Sequence, residues 1–248
     1  MKFSANLGFL WADRPLPAAI RAAKATGFDA VECHWPYETP VDAVRAALTE
    51  TGLSMLGLNT RRGEAGQNGL SALPGREGDA RAAIDEAIAY ADAIDAGAIH
   101  VMAGFAAGPA AHAAFVANLR YAADSTARTI LIEPLNRHDA PKYFLTNTDQ
   151  AADILREVDR PNAKLMFDCY HVGRTEGDVT TRFEALLPLV GHVQFASVPH
   201  RGRPDEGELD LGFVLPRLAA LGWEAPMGAE YKPGGDTEAT LSWMARLR

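Results

Sequence analysis

The sequence predicts a (β/α)8 barrel, on three observations. Its 248 residues are close to the roughly 250 typical of that fold and sufficient for a large core. Eight short apolar runs alternate with alanine-rich helical stretches along the whole chain, the pattern of a parallel sheet clad in helices. Four of the runs finish on a carboxylate or an amide: Ile130-Leu131-Ile132-Glu133, Leu165-Met166-Phe167-Asp168, His192-Val193-Gln194 and Met227-Gly228-Ala229-Glu230. The C-terminal ends of barrel strands are where this fold builds its sites.

Strands are expected at 3–7, 30–33, 54–59, 98–102, 129–133, 164–168, 192–195 and 226–230. They lack clean alternation, as in Leu131-Ile132 and Leu165-Met166-Phe167, which suits strands buried on both faces. Helices are expected at 16–26, 41–51, 77–94, 110–126, 149–158, 180–188, 211–221 and 237–246. The stretch 77–94 holds strong helix formers such as Arg81, Ala82, Ala83, Glu86 and Ala87. Gly27 and Gly52 stand where helices end, and Pro161 and Gly222 mark similar exits. Thr146-Asn147-Thr148-Asp149 supplies N-cap chemistry. Two long polar loops, 59–76 and 198–210, follow the third and seventh strands and rise on the face carrying the four tips. No linker or composition shift divides the chain, so residues 1–248 are expected to form one barrel domain.

Hydrophobic residues make up 48% and charged residues 23%, an ordinary globular balance. A net charge of -8 and a pI near 5.4 disfavour binding to nucleic acid or an anionic membrane. They leave room for a small anionic substrate held by a local Arg or Lys. No run approaches the roughly 18 apolar residues of a membrane span, and Met1-Lys2-Phe3-Ser4 reads as a first strand rather than a signal peptide. With only Cys33 and Cys169, a disulfide framework is not expected and a cytoplasmic location is. A homo-oligomer is compatible with the sequence.

Glu133, Asp168 and Glu230 would bring three carboxylates to one mouth, with Gln194 among them. Like charges in a partly desolvated site raise one another's pKa, and a cation removes the conflict. Oxygen ligands without cysteine point to one divalent cation, Mg²⁺ or Mn²⁺. Four protein ligands leave about two octahedral positions for substrate oxygens or water.

Leu131-Ile132-Glu133-Pro134-Leu135-Asn136, Phe167-Asp168-Cys169-Tyr170-His171, Gly191-His192-Val193-Gln194 and Glu230-Tyr231-Lys232-Pro233 together resemble the hydroxypyruvate isomerase family, within the xylose-isomerase-like TIM barrels. Gly27-Phe28-Asp29-Ala30-Val31-Glu32, Leu73-Pro74-Gly75-Arg76-Glu77 and His100-Val101-Met102-Ala103-Gly104 extend the resemblance along the chain. It implies a metal held by Glu133, Asp168, Gln194 and Glu230, with Glu133 and Glu230 also serving as acid/base groups. It implies that His171 reaches a substrate oxygen. Related sugar 3-epimerases usually carry His where Gln194 stands, which favours the isomerase side. One departure is Gly173, where many members have Gln.

The reaction so implied converts hydroxypyruvate to tartronate semialdehyde through an enediolate. Arg201 and Lys232 are the candidates to hold the substrate carboxylate. A 2-oxo-tetronate isomerase or a keto-sugar 3-epimerase would use the same step. A polyol-ketone dehydratase is a more distant reading. A DNA-repair nuclease on this scaffold would need many His ligands and a basic surface, against seven His and a charge of -8. A non-catalytic binding module would be expected to have lost a ligand, whereas all four are present.

Overall fold

Short apolar runs extend in this chain because a parallel ladder satisfies their backbone groups while helices cover their outer faces. The computed structural model describes residues 1–64 and 66–247. Strands β1 (Phe3–Asn6), β2 (Ala30–Glu32), β3 (Ser54–Met55), β4 (Gly57–Asn59), β5 (Ala98–His100), β6 (Thr129–Ile132), β7 (Ala163–Asp168), β8 (Val190–Phe195) and β9 (Met227–Ala229) pair in parallel. Helices α1 (Leu16–Ala25), α2 (Val41–Thr51), α3 (Glu77–Ile94), α4 (Gly108–Ser125), α5 (Thr148–Val158), α6 (Cys169–Thr175), α7 (Val179–Leu186), α8 (Leu211–Ala220) and α9 (Trp243–Leu247) connect and flank them.

The sheet order is β3-β2-β1-β9-β8-β7-β6-β5-β4. Its two ends are neighbours in the chain, because Leu56 alone separates β3 from β4. The Leu56 N–H donates to the Val31 carbonyl at 2.7 Å and the Cys33 N–H to the Gly57 carbonyl at 3.1 Å. The sheet thereby rolls into the predicted barrel. The expected strand 54–59 is one stave broken at Leu56, since its first half pairs with β2 and its second with β5.

Local chemistry sets some of the helix starts. Asn147 caps α5 by accepting the Gln150 N–H at 2.8 Å. Asp168 does the same for α6, accepting the Tyr170 N–H at 2.8 Å. Helix α6 is absent from the expectations above, because its cap is also a strand tip. The expected helix 237–246 is only a 3-10 turn at Glu238–Thr240 followed by α9. Side chains there are committed elsewhere: Thr237 Oγ1 accepts the Trp11 N–H at 2.9 Å, and Thr240 shares a 2.7 Å hydrogen bond with the Tyr231 hydroxyl.

The core lies largely between the barrel and its helices. Trp243 is fully buried and meets Phe3 and Phe195 edge-on at 5.1 and 5.5 Å. Its Nε1–H donates to the Tyr231 hydroxyl at 3.2 Å. The short last helix thus covers the outside of β1 and β8. Inside the barrel, Ala98, Leu131 and Met166 form a small apolar cluster. Ser4, Asn6, Glu32, His192 and Gln194 are also buried, so part of this barrel is polar. No described helix is long and apolar enough to cross a membrane.

Trp243→Ala is expected to destabilise the fold by about 3–5 kcal/mol, read as a lower urea midpoint at unchanged slope. A loss below about 1 kcal/mol would mean that the terminal helix is not part of the cooperative core.

Candidate active site

The four predicted tips arrive at one mouth. Asp168 is the last residue of β7, Gln194 lies one residue from the end of β8, and Glu133 and Glu230 directly follow β6 and β9. All four are buried. Asp168 and Gln194 are paired in register across adjacent strands, so their side chains leave the ladder on the same face.

Three of the four present an oxygen that nothing else uses. Among the described residues, Glu133 Oε1, Asp168 Oδ2 and Gln194 Oε1 are buried without a hydrogen-bond partner. Buried polar atoms are rarely left this way, because each costs about 1–3 kcal/mol. Their other atoms are engaged or faced: Asp168 Oδ1 accepts the Tyr170 N–H, Gln194 Nε2 donates to Glu32 Oε1 at 2.8 Å, and Glu133 Oε2 faces His100 Nδ1 at 3.7 Å. Glu133 and Asp168 bring ligand-type oxygens within 4.8 Å of one another, and with the Gln194 amide on the adjacent strand they could hold a hard divalent cation.

Glu230 is arranged differently. Its Oε1 accepts from Asn6 Nδ2 at 3.1 Å and from His34 Nε2 at 3.0 Å. Its Oε2 accepts from Arg201 Nη2 at 2.5 Å. The guanidinium also lies 3.6 Å from Asp168 Oδ2. It is clamped between Phe9 and Tyr170, at 4.8 and 5.1 Å from their ring centroids. Arg201 therefore stands inside the site as its fixed positive charge. Lys232 is exposed, and its backbone N–H donates to the Arg201 carbonyl at 2.7 Å.

Ligand-type atoms of Glu133, Asp168 and His171 lie within 4.8 Å of one another. Hydrogen bonding decides what the histidine does there. Its Nδ1 accepts the Asn136 backbone N–H at 2.9 Å and the Asn136 amide at 2.8 Å. A neutral ring that accepts at Nδ1 carries its proton on Nε2. That nitrogen faces Glu133 Oε1 at 3.7 Å and Asp168 Oδ2 at 3.6 Å. A metal-ligating histidine donates from its other nitrogen, the reverse of this pattern. His171 is thus a hydrogen-bond donor aimed into the mouth.

Charge follows the same division. Burial, reinforced by Glu230 and Asp168, pushes Glu133 well above the usual carboxylate range. Burial also lifts Asp168, to about 7, against the pull of Arg201. Burial would raise Glu230 too, yet Arg201 and His34 outweigh it and hold it at about 2. Burial, aided by Arg201, keeps His171 neutral by lowering it to about 3. Before any cation binds, the mouth holds one firmly ionised carboxylate and two that resist ionisation.

Two contributors escape sequence reasoning as site residues, Asn6 and His34. The one signal for His34 is Gly8: a Cβ on Gly8 would lie 2.1 Å from His34 Nδ1 and 2.3 Å from its Cε1. His100, which looks like a satisfied core residue from its place in a strand, has a buried Nε2 without a partner among the described residues. At Gly173, a side chain would meet Val198 at 3.1 Å and Leu209 at 3.4 Å. The loop after β8 covers this position.

Comparisons with known proteins agree on the fold and differ in the activities they name. Residues 20–247 match the family model described as xylose isomerase-like TIM barrel. The chain is 40% identical to a putative hydroxypyruvate isomerase of Xenopus laevis, over 99% of this chain and 95% of that protein. It is 40% identical to a 2-oxo-tetronate isomerase of Cupriavidus necator, over 98% and 97%. A crystal structure described as an AP endonuclease, family 2, from Brucella melitensis superposes with a TM-score of 0.95 at 36% identity, covering 100% and 99% of the two chains.

In the metal-free protein, the His171 ring is expected to stay neutral and protonated at Nε2 from about pH 8 to about pH 5, as read from its ¹⁵N shifts. A histidine held neutral by the fold takes up its proton more readily when unfolded. Its contribution to stability is therefore full above about pH 6.5 and declines as the pH falls below that value. A ring that protonates near pH 6 would contradict the assignment.

Proposed function

This chain is an isomerase that belongs to the xylose isomerase-like TIM barrel family, and we propose that it acts on a small anionic hydroxy-oxo acid, hydroxypyruvate in the first place. The observation that carries this reading is the convergence of three unpartnered buried oxygens, of Glu133, Asp168 and Gln194, with the clamped guanidinium of Arg201. The oxygens suit a divalent cation, and the guanidinium suits a carboxylate. Glu230 completes the mouth.

Hydroxypyruvate becomes tartronate semialdehyde when a proton leaves C3 and a proton arrives at C2, while the hydroxyl proton passes from O3 to O2. The shared intermediate is an enediolate. A Mg²⁺ or Mn²⁺ held by Glu133, Asp168, Gln194 and Glu230 would supply Lewis-acid stabilisation of the enediolate charge. Arg201 holds the substrate carboxylate through Nη1, to which no described residue is hydrogen-bonded, while Nη2 remains with Glu230. His171 donates Nε2–H to a substrate oxygen. Glu133 and Glu230 are the two carboxylates that would take the carbon-bound proton and return one to carbon. The two stand on β6 and β9, with β7 and β8 between them, so they flank a substrate placed over the mouth.

A 2-oxo-tetronate offers the same carboxylate and adjacent oxygens on a longer chain. The likeness to a protein named for that reaction makes it the second reading. The free, buried Cys33 and Cys169 suit a cytoplasmic setting, which is part of the same proposal.

Metal analysis of the purified protein is expected to find one divalent cation per chain. Chelation should abolish turnover, and Mn²⁺ or Mg²⁺ should restore it. In a screen of hydroxypyruvate, 2-oxo-tetronates and neutral ketoses, the acids should be preferred. Full activity after chelation, or a preference for neutral sugars, would overturn the reading. Glu133→Gln and Glu230→Gln should each lower kcat on the best substrate by about 10²–10⁴-fold. Near-normal turnover by both variants would remove the acid/base assignment.

A further inference from the structure

We propose that Glu32 is a positioning residue: it dictates which way the amide of Gln194 faces, and so how that amide oxygen is presented at the mouth. The inference rests on the reading of the mouth as a cation site and deepens it.

Glu32 ends β2 and is 4% exposed. Donors from two other strands meet its carboxylate. Ser4 Oγ donates to Oε2 at 3.4 Å and His192 Nε2 to Oε2 at 2.5 Å, while Asn6 Nδ2 reaches Oε1 at 3.0 Å and Gln194 Nε2 reaches Oε1 at 2.8 Å. The space around it is nearly full: a cavity of about 20 Å³ is lined by Asn6, Glu32, His100, His192 and Gln194, with room for about one water molecule. Side chains therefore supply most of its hydrogen bonding.

A carboxylate that faces only donors imposes direction on each of them. An amide has a donor end and an acceptor end, and nothing intrinsic says which points where. With its NH₂ committed to Glu32, Gln194 must turn Oε1 the other way. That oxygen is one of the buried, unpartnered atoms. Asn6 is set from both ends: its Oδ1 accepts the Gly8 N–H at 2.9 Å, and its Nδ2 bridges Glu32 Oε1 and Glu230 Oε1 at 3.0 and 3.1 Å. One carboxylate below the mouth thus orients a ligand oxygen and, through Asn6, connects to Glu230. Gly228 keeps the space open: a Cβ there would lie 2.6 Å from Glu32 Oε1 and 3.0 Å from Gln194 Cγ.

The test is Mn²⁺ binding, followed by the EPR signal of the free ion, with the metal-free thermal midpoint measured alongside. Glu32→Gln keeps the size but adds a donor, so two amides compete and Gln194 loses its fixed direction. Mn²⁺ should then bind about 10–100-fold more weakly, and the metal-free midpoint reads separately what the competing donors cost the fold. Glu32→Asp withdraws the same carboxylate by one methylene without removing an ionisable group, and it should weaken Mn²⁺ binding as well. It decides the matter if Glu32→Gln does not fold. A folded variant that binds Mn²⁺ as tightly as wild type, whatever its midpoint, would reduce Glu32 to a packing role and overturn the inference alone. Wild-type protein that binds no Mn²⁺ would overturn the cation reading with it.

Discussion

Concentrating carboxylates where water cannot reach them is the constraint around which this barrel is organised. Glu32, Glu133, Asp168 and Glu230 are all buried at one end of it. A buried charge is tolerable only with a partner or a proton. The chain settles two of the four itself. Glu32 is surrounded by donors, and Glu230 is held by Arg201, His34 and Asn6. Glu133 and Asp168 are left with unpartnered oxygens beside Gln194. This uneven settlement is what the proposed cation would complete. The aromatic clamp on Arg201 belongs to the same solution, because it holds the guanidinium on Glu230 and beside Asp168.

Much of this was legible in the sequence because the signals are local. An apolar run followed by Glu, Asp or Gln is visible within a few residues, and four such runs repeated along the chain indicate both the barrel and its mouth. Arg201 was also within reach, since a charged residue in a long loop after a strand is a known place for function. His34 and Asn6 were not, because their meaning comes from strand pairing. Asn6 reaches Glu230 only because β1 lies beside β9, a junction that joins the two ends of the chain. No local pattern announces it.

The direction of a hydrogen bond was likewise invisible. His171 carries the same letters whether it ligates or donates. The Asn136 backbone N–H decides the question, from 35 residues away. The break at Leu56 and the shortened C-terminal helix escaped for a related reason. Each follows from partners elsewhere, β2 and β5 in one case and Trp11 and Tyr231 in the other.

The contact between Gly8 and His34 carries a consequence for how such a chain can drift. Any side chain at position 8 would overlap the imidazole, and the imidazole is tied to Glu230. Neither position can change first without loss. Descent with modification must alter both together, or pass through a form whose Glu230 has lost a partner. A bare hydrogen at residue 8 is thus as much a part of the mouth's geometry as the acids themselves, although it performs no chemistry.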